Sequence, residues 1–117
     1  MTLRERQSLF ASLLAKLISE AFNRGYEVTL GEAWRTPEMA SIYAKNGKGT
    51  LTSLHISRLA VDLNLYKDGK WLSRSEDHAE LGAFWKSLHP DCRWGGDFKT
   101  RPDGNHYSLT PDGGKTA

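Results

Sequence analysis

Three stretches of the chain repeat apolar residues at intervals of three and four, the spacing that gathers side chains on one side of an α-helix. The first begins at Thr2 and Glu5, a capping-box pair, and ends at Gly25, which suits a left-handed helix terminus. The second follows the N-cap candidate Thr36, and the third ends at Pro90. Their apolar positions are Phe10, Leu13, Leu14, Leu17, Ile18 and Ala21, then Met39, Ile42 and Tyr43, then Leu81, Phe84, Trp85 and Leu88.

Three other stretches alternate apolar and polar residues, the two-residue period of a strand with one buried side. They cover residues 26–30, 59–65 and 106–109. In the second of them, Asp62 points away from the apolar side. The Lys-Asp-Gly-Lys sequence of residues 67–70 is a hairpin turn signal, so we expect an antiparallel strand to follow it.

A length of 117 residues is typical of one globular domain. We expect residues 110–117 to form a flexible tail. A single cysteine, Cys92, excludes an internal disulfide and a cysteine-based zinc cluster. No apolar run approaches the roughly 20 residues of a membrane helix, so membrane insertion is not expected. The net charge of +2 is dispersed along the chain, which argues against nucleic acid as a partner.

Several residues capable of chemistry have plain structural explanations. His78 and His89 flank a predicted helix, where capping or a surface position accounts for them. Asp97 either closes the turn after two glycines or orients a metal-binding histidine, and the sequence leaves both roles open. Three tryptophans are most simply explained as core residues, namely Trp71, Trp85 and Trp94, although a tryptophan near a cleft could instead pack against substrate.

His55, Asp62 and His106 form a candidate zinc site. Hydrolytic zinc sites take three ligands from histidines and carboxylates and leave the fourth position for water. His55 stands in a loop seven residues before Asp62, and His106 would come from a neighbouring strand. The alternative is that these are ordinary surface polar residues, since a His and an Asp at this spacing occur together in many proteins. Spacing alone leaves both interpretations open.

Three short stretches carry a more specific signal through their order and spacing. They are Ser53-Leu54-His55 with Ala60-Val61-Asp62-Leu63, then Trp94-Gly95-Gly96-Asp97-Phe98, then Asp103-Gly104-Asn105-His106. Together they resemble the zinc peptidases of the D-alanyl-D-alanine carboxypeptidase and L-alanyl-D-glutamate endopeptidase family, over roughly residues 26–109. The resemblance implies an α+β fold, a small antiparallel sheet flanked by helices, shared with Hedgehog-type signalling domains.

The resemblance also implies roles for individual residues. His55, Asp62 and His106 would hold the zinc ion, Asp103 would act as general base and acid, and Arg35 and Ser53 would bind substrate. Asp103 has a second explanation as a turn former beside Gly104, and Arg35 could simply pair with Glu32 or Glu38. The family commonly has glycine three residues after the first histidine, where this chain has Arg58.

The resemblance therefore implies a zinc peptidase that cuts peptidoglycan stem peptides, with the L-Ala–D-Glu bond as the expected target. The alternatives are a D-Ala-D-Ala carboxypeptidase and a zinc-containing module that binds the cell wall without cutting it. Small phage endolysins belong to this family. We accordingly expect a monomer that accumulates in the host bacterial cytoplasm and reaches the wall after the membrane is permeabilised.

Overall fold

The computed structural model describes residues 1–46 and 54–110, and within these ranges the chain forms three α-helices and five β-strands. The helices are α1 (Leu3–Asn23), α2 (Pro37–Lys45) and α3 (Ala79–Leu88), and the strands are β1 (Glu27–Leu30), β2 (Ala60–Lys67), β3 (Lys70–Leu72), β4 (Cys92–Trp94) and β5 (His106–Leu109). Two 3₁₀ turns cover Ser75–His78 and Gly95–Asp97. The α+β architecture expected from the resemblance is confirmed.

Helix α1 begins and ends where the sequence predicts. The Thr2 hydroxyl accepts from the Glu5 N–H at 3.1 Å, and the Glu5 carboxylate accepts from the Thr2 N–H at 2.9 Å. Gly25 follows the helix with φ of +89°, a conformation that side chains with a Cβ rarely adopt. Within the described ranges, neither α1 nor any other helix combines the length and the apolar character that crossing a membrane requires.

The sheet is antiparallel and centred on β2. Its main order is β1-β2-β5-β4, and β3 also pairs with β2. β5 pairs with residues 60–62 of β2, whereas β3 pairs with residues 65–67 of the same strand. The predicted hairpin between β2 and β3 is present, with Asp68 and Gly69 both at positive φ.

The core lies between the sheet and helices α1 and α3. Phe10 and Leu17 of α1 and Trp85 of α3 are buried in one cluster with Leu63 of β2. Strand periodicity turns Asp62 to the opposite face of β2, where it is only partly buried. Helices α1 and α3 therefore cover one face of the sheet, and polar residues of β2 lie on the other.

One tryptophan expected in the core lies outside it. Trp85 is fully buried, and its indole N–H lies 3.0 Å from the Arg93 carbonyl oxygen. Trp71 is 62% exposed, so the expectation of a core position for it is wrong. The two residues 71 and 72 point to opposite faces of β3, and it is Leu72 that packs against the core.

The packed part of the chain extends through Thr110. This residue, expected to begin the flexible tail, is fully buried, and its N–H donates to the Asp91 carbonyl oxygen at 2.9 Å. Its burial follows from β5, because the residue after the strand continues beside the turn that precedes β4. Residues 111–117 lie outside the described ranges.

Candidate metal centre

Strand pairing brings Asp62 and His106 together. They are directly opposite each other in the antiparallel register of β2 and β5, so their side chains share one face of the sheet. His55 reaches the same place from the turn that leads into β2. The two histidines are 51 residues apart in the sequence, and only the pairing of β2 with β5 makes them neighbours.

Three ligand atoms converge in this cluster. Asp62 Oδ1 lies 3.3 Å from His55 Nε2 and 3.4 Å from His106 Nδ1, and the two nitrogens are 3.2 Å apart. Both histidines are buried. Among the described residues, Asp62 Oδ1 has no hydrogen-bond partner although it is inaccessible to solvent. A buried carboxylate oxygen facing two imidazole nitrogens is a donor set that fits zinc.

The protonation of Asp62 favours cation binding. Burial by itself would raise the pKa of this carboxyl group, but the imidazoles of His106 and His55 outweigh burial and lower the pKa to about 2. The group is therefore ionised at neutral pH. Because metal ligands must be deprotonated, the cluster needs no proton loss from Asp62 to bind a divalent cation.

The turn that carries His55 contains the residue that departs from the family pattern. Arg58 adopts φ of +57°, the left-handed region that glycine occupies at little cost. Its guanidinium lies 4.7 Å from the centre of the Trp34 ring, and the Trp34 indole N–H donates to the Ile56 carbonyl oxygen at 3.0 Å. The turn thus takes the conformation that a glycine would allow, with Trp34 packing against it.

Asp103 lies at the rim of the cluster. The residue is exposed, yet enough protein surrounds its carboxyl group that desolvation, followed by the charge of Asp62, raises its pKa despite the opposing effect of His106 and His55. The His106 N–H donates to the Asp103 carbonyl oxygen at 3.0 Å, so a tight turn links the two residues. A carboxylate with a raised pKa beside a candidate metal site is suited to accept a proton.

The Trp-Gly-Gly sequence holds this turn in place. The Trp94 indole N–H donates to the Gly104 carbonyl oxygen at 2.7 Å, and the Asp103 N–H donates to the Gly95 carbonyl oxygen at 2.9 Å. A Cβ on Gly95 would come within 2.1 Å of the Asp103 carbonyl oxygen. A Cβ on Gly82 of α3 or on Gly96 would meet the Trp94 ring. Gly95 and Gly96 of the motif, together with Gly82 of α3, therefore let β4, α3 and the turn approach each other closely.

Arg35 is held by Glu32. Its Nε donates to Glu32 Oε1 at 2.7 Å, its second guanidinium nitrogen contacts the same oxygen, and its guanidinium carbon lies 4.8 Å from the centre of the Tyr43 ring. The ion pair considered from the sequence is thus formed with Glu32. Glu32 Oε1 also lies 3.5 Å from His55 Nδ1. Sequence reasoning missed this second contact, since nothing in the spacing of the two residues signals it.

A polar cleft of about 190 Å³ opens beside the cluster. Its lining includes Asp103, Asn64, Asn105, Trp71, Arg74 and His78. Asn64 lies two residues from Asp62 on the same face of β2, and Asn105 directly precedes His106. Sequence neighbours of the cluster therefore line this cleft, together with Trp71 of β3.

The remaining candidates fall outside the cluster. Ser53, expected to bind substrate, lies outside the described residues. Asp97 pairs with Lys86 at 2.7 Å on the surface, which favours its structural role. His78 is not a surface residue: it is 3% exposed, its Nδ1 lies 2.7 Å from the Tyr107 hydroxyl, and burial lowers its pKa to about 4. His89 accepts a hydrogen bond from the Asp91 N–H and is part of the turn before β4.

Comparison with protein families gives a match over residues 46–109. The matching family is described as D-alanyl-D-alanine carboxypeptidase. The matched range contains the three cluster residues and Asp103, and it begins after Arg35. No curated protein matches the chain.

Comparison with solved structures gives a match in fold. The crystal structure of the Serratia marcescens L-Ala-D-Glu endopeptidase ChiX superimposes with a TM-score of 0.70 at 24% sequence identity. The match covers 86% of this chain and 79% of that chain.

Proposed function

The chain belongs to the D-alanyl-D-alanine carboxypeptidase family of peptidases, and we propose that it is a zinc-dependent peptidase that hydrolyses an amide bond in the peptidoglycan stem peptide. The observation that carries the proposal is the convergence of His55, Asp62 and His106 on one point of the sheet face. Zinc bound there would activate water and polarise the substrate carbonyl group. The protein would act as a monomer, with its substrate lying along the cleft.

Proton transfer in this reaction falls to Asp103. Its raised pKa favours taking a proton from the attacking water, and the same carboxyl group can then give that proton to the leaving amine. In support of this role, Asp103 lines the cleft and lies three residues before His106 of the candidate metal centre. Arg35 would recognise a substrate carboxylate or stabilise negative charge on the reacting carbonyl oxygen, and Glu32 fixes its guanidinium for that task.

The L-Ala–D-Glu bond is the target that we propose, because the structure with the matching fold is that of an L-Ala-D-Glu endopeptidase. Incubation of the zinc-loaded protein with purified muropeptides is expected to release fragments that end at L-alanine, as identified by mass spectrometry. Release of free D-alanine alone would instead assign the D-Ala-D-Ala carboxypeptidase activity that gives the family its description. Murein binding without any cleavage would favour the wall-binding module and contradict a peptidase.

We propose further that the protein is a phage or prophage endolysin that accumulates in the host cytoplasm, as the resemblance to small phage endolysins implies. Cells that express it should lyse only when the inner membrane is permeabilised, for example by chloroform. Turbidity of the culture measures this, and the Asp103→Ala variant is the control for lysis caused by chloroform itself. Lysis of untreated cells at the same rate would contradict a lysin that depends on prior membrane damage.

A further inference from the structure

Main-chain hydrogen bonds join residues 31–35 to Asp62 and His55 of the candidate metal centre. The Asp62 N–H donates to the Glu32 carbonyl oxygen at 2.9 Å, and the Gly31 N–H donates to the Asp62 carbonyl oxygen at 2.8 Å. The Arg35 N–H donates to the His55 carbonyl oxygen at 3.2 Å. The segment between β1 and α2 is therefore fixed against both residues, and the Glu32 side chain has a defined place beside the cluster.

The Glu32 carboxylate contacts two functional groups at once. One oxygen, Oε1, accepts from the Arg35 guanidinium at 2.7 Å and lies 3.5 Å from His55 Nδ1. The other ring nitrogen of His55, Nε2, faces Asp62 at 3.3 Å. Each side of the imidazole therefore faces a carboxylate, one at the candidate metal position and one behind it.

We propose that Glu32 is a positioning residue that orients His55 for zinc and Arg35 for the substrate. An imidazole that binds a metal through one nitrogen commonly donates its other N–H to a carboxylate, which fixes the tautomer and makes the ligand more basic. Glu32 is placed to accept from Nδ1, and this selects the tautomer with a free lone pair on Nε2. The inference rests on the proposed function, but its metal-binding half can be measured without any substrate.

A simple ion pair between Glu32 and Arg35 is the competing interpretation, and zinc affinity separates the two. The test measures the zinc dissociation constant by competition with a chromogenic chelator. We expect Glu32→Ala to weaken zinc binding about 10–100-fold. Glu32→Gln should weaken it less, because an amide oxygen still accepts from Nδ1 but carries no charge. Arg35→Ala should leave zinc affinity within about twofold of the wild type, because it keeps the Glu32 carboxylate.

The kinetic readout uses the same variants. Arg35→Ala and Glu32→Ala should each lower kcat/KM on muropeptides. In the double variant, the fold-loss of kcat/KM should be smaller than the product of the two single losses, because each single substitution already breaks the same ion pair. Glu38→Ala, an exposed carboxylate in the first turn of α2, is the matched control and should alter neither zinc affinity nor kcat/KM.

Two results would overturn the assignment. The first is wild-type zinc affinity in Glu32→Gln and Glu32→Ala, and the second is a loss of affinity in Arg35→Ala as large as that in Glu32→Ala. If Glu32→Ala fails to fold, the zinc affinity of Glu32→Gln alone decides, since glutamine preserves the size of the side chain. Reduced affinity then supports the assignment, and wild-type affinity contradicts it. Failure of the wild-type protein to cut muropeptides would refute the proposed function and leave the zinc measurement unaffected.

Discussion

Replacement of Asp103 by asparagine is expected to reduce kcat on muropeptides by about 10²–10⁴-fold, the range typical of a lost general base. The amide keeps the shape of the side chain and removes its ability to take a proton. The turn through Gly104 and the Trp94 hydrogen bond involve main-chain groups, so they should survive the substitution. Asp68→Asn, an exposed substitution in the β2–β3 hairpin, is the control and should retain full activity.

The same substitution is expected to stabilise the metal-free protein at neutral pH. Burial and the charge of Asp62 raise the pKa of Asp103 in the folded state, so its ionisation costs stability. This cost is absent below the unfolded-state pKa of about 3.9 and complete once the pH exceeds the folded-state pKa. With chelator present, Asp103→Asn should therefore melt at a higher temperature than the wild type at pH 7 and at the same temperature at pH 3. A lower melting temperature at pH 7 would contradict the raised pKa, and retained activity would contradict the role of Asp103 as general base.

Loss of His55 should have the second large effect. His55→Ala removes a buried imidazole that faces Asp62, and we expect zinc affinity to fall by more than about 100-fold. Loss of a residue that only hydrogen-bonds to a metal ligand already lowers metal affinity by about 10–100-fold. The rate of muropeptide hydrolysis should fall to that of the wild-type protein after its metal has been removed with a chelator. Chelator competition and metal analysis of the purified protein measure the first effect, and muropeptide digestion measures the second.

Thermal stability gives an independent check on the same site. A ligand at 100 times its dissociation constant stabilises the folded state by about 2.7 kcal/mol, so zinc should raise the melting temperature of the wild type. It should not raise that of His55→Ala. His89→Ala is the matched control, because His89 lies in the turn before β4 and outside the cluster, and its response to zinc should equal that of the wild type. Equal zinc responses in both variants would place the metal elsewhere.

The sequence predicted the parts of this molecule that local pattern determines. Alternation along β2 placed Asp62 on the polar face, and the capping box and Gly25 fixed the limits of α1. The motifs predict His55, Asp62 and His106 as metal ligands, because their order and spacing resemble those of the peptidase family. What joins them in space is the pairing of β2 with β5, and the hydrophobic pattern of either strand alone does not specify its partner.

The residues that sequence reasoning misplaced are those whose surroundings come from distant segments. The sequence predicts a capping or surface position for His78, whereas the side chain is buried against Tyr107 of β5. Trp71 is apolar enough for a core, but the hairpin turns it to the cleft side. The sequence predicts Glu32 only as a partner for Arg35, because its contact with His55 depends on how the chain passes between β1 and α2.

The cleft lies where the strand pairing of β2 changes from β5 to β3. β5 pairs with residues 60–62 of β2 and β3 pairs with residues 65–67, so Leu63 and Asn64 lie between the two paired segments, and Asn64 lines the cleft. The β2–β3 hairpin therefore contributes Trp71 and Leu72 to the lining of the same cleft that Asp103 lines. A change in hairpin length would move Trp71 and reshape this part of the cleft while leaving His55, Asp62 and His106 in place, so we expect it to alter substrate preference and to retain zinc affinity.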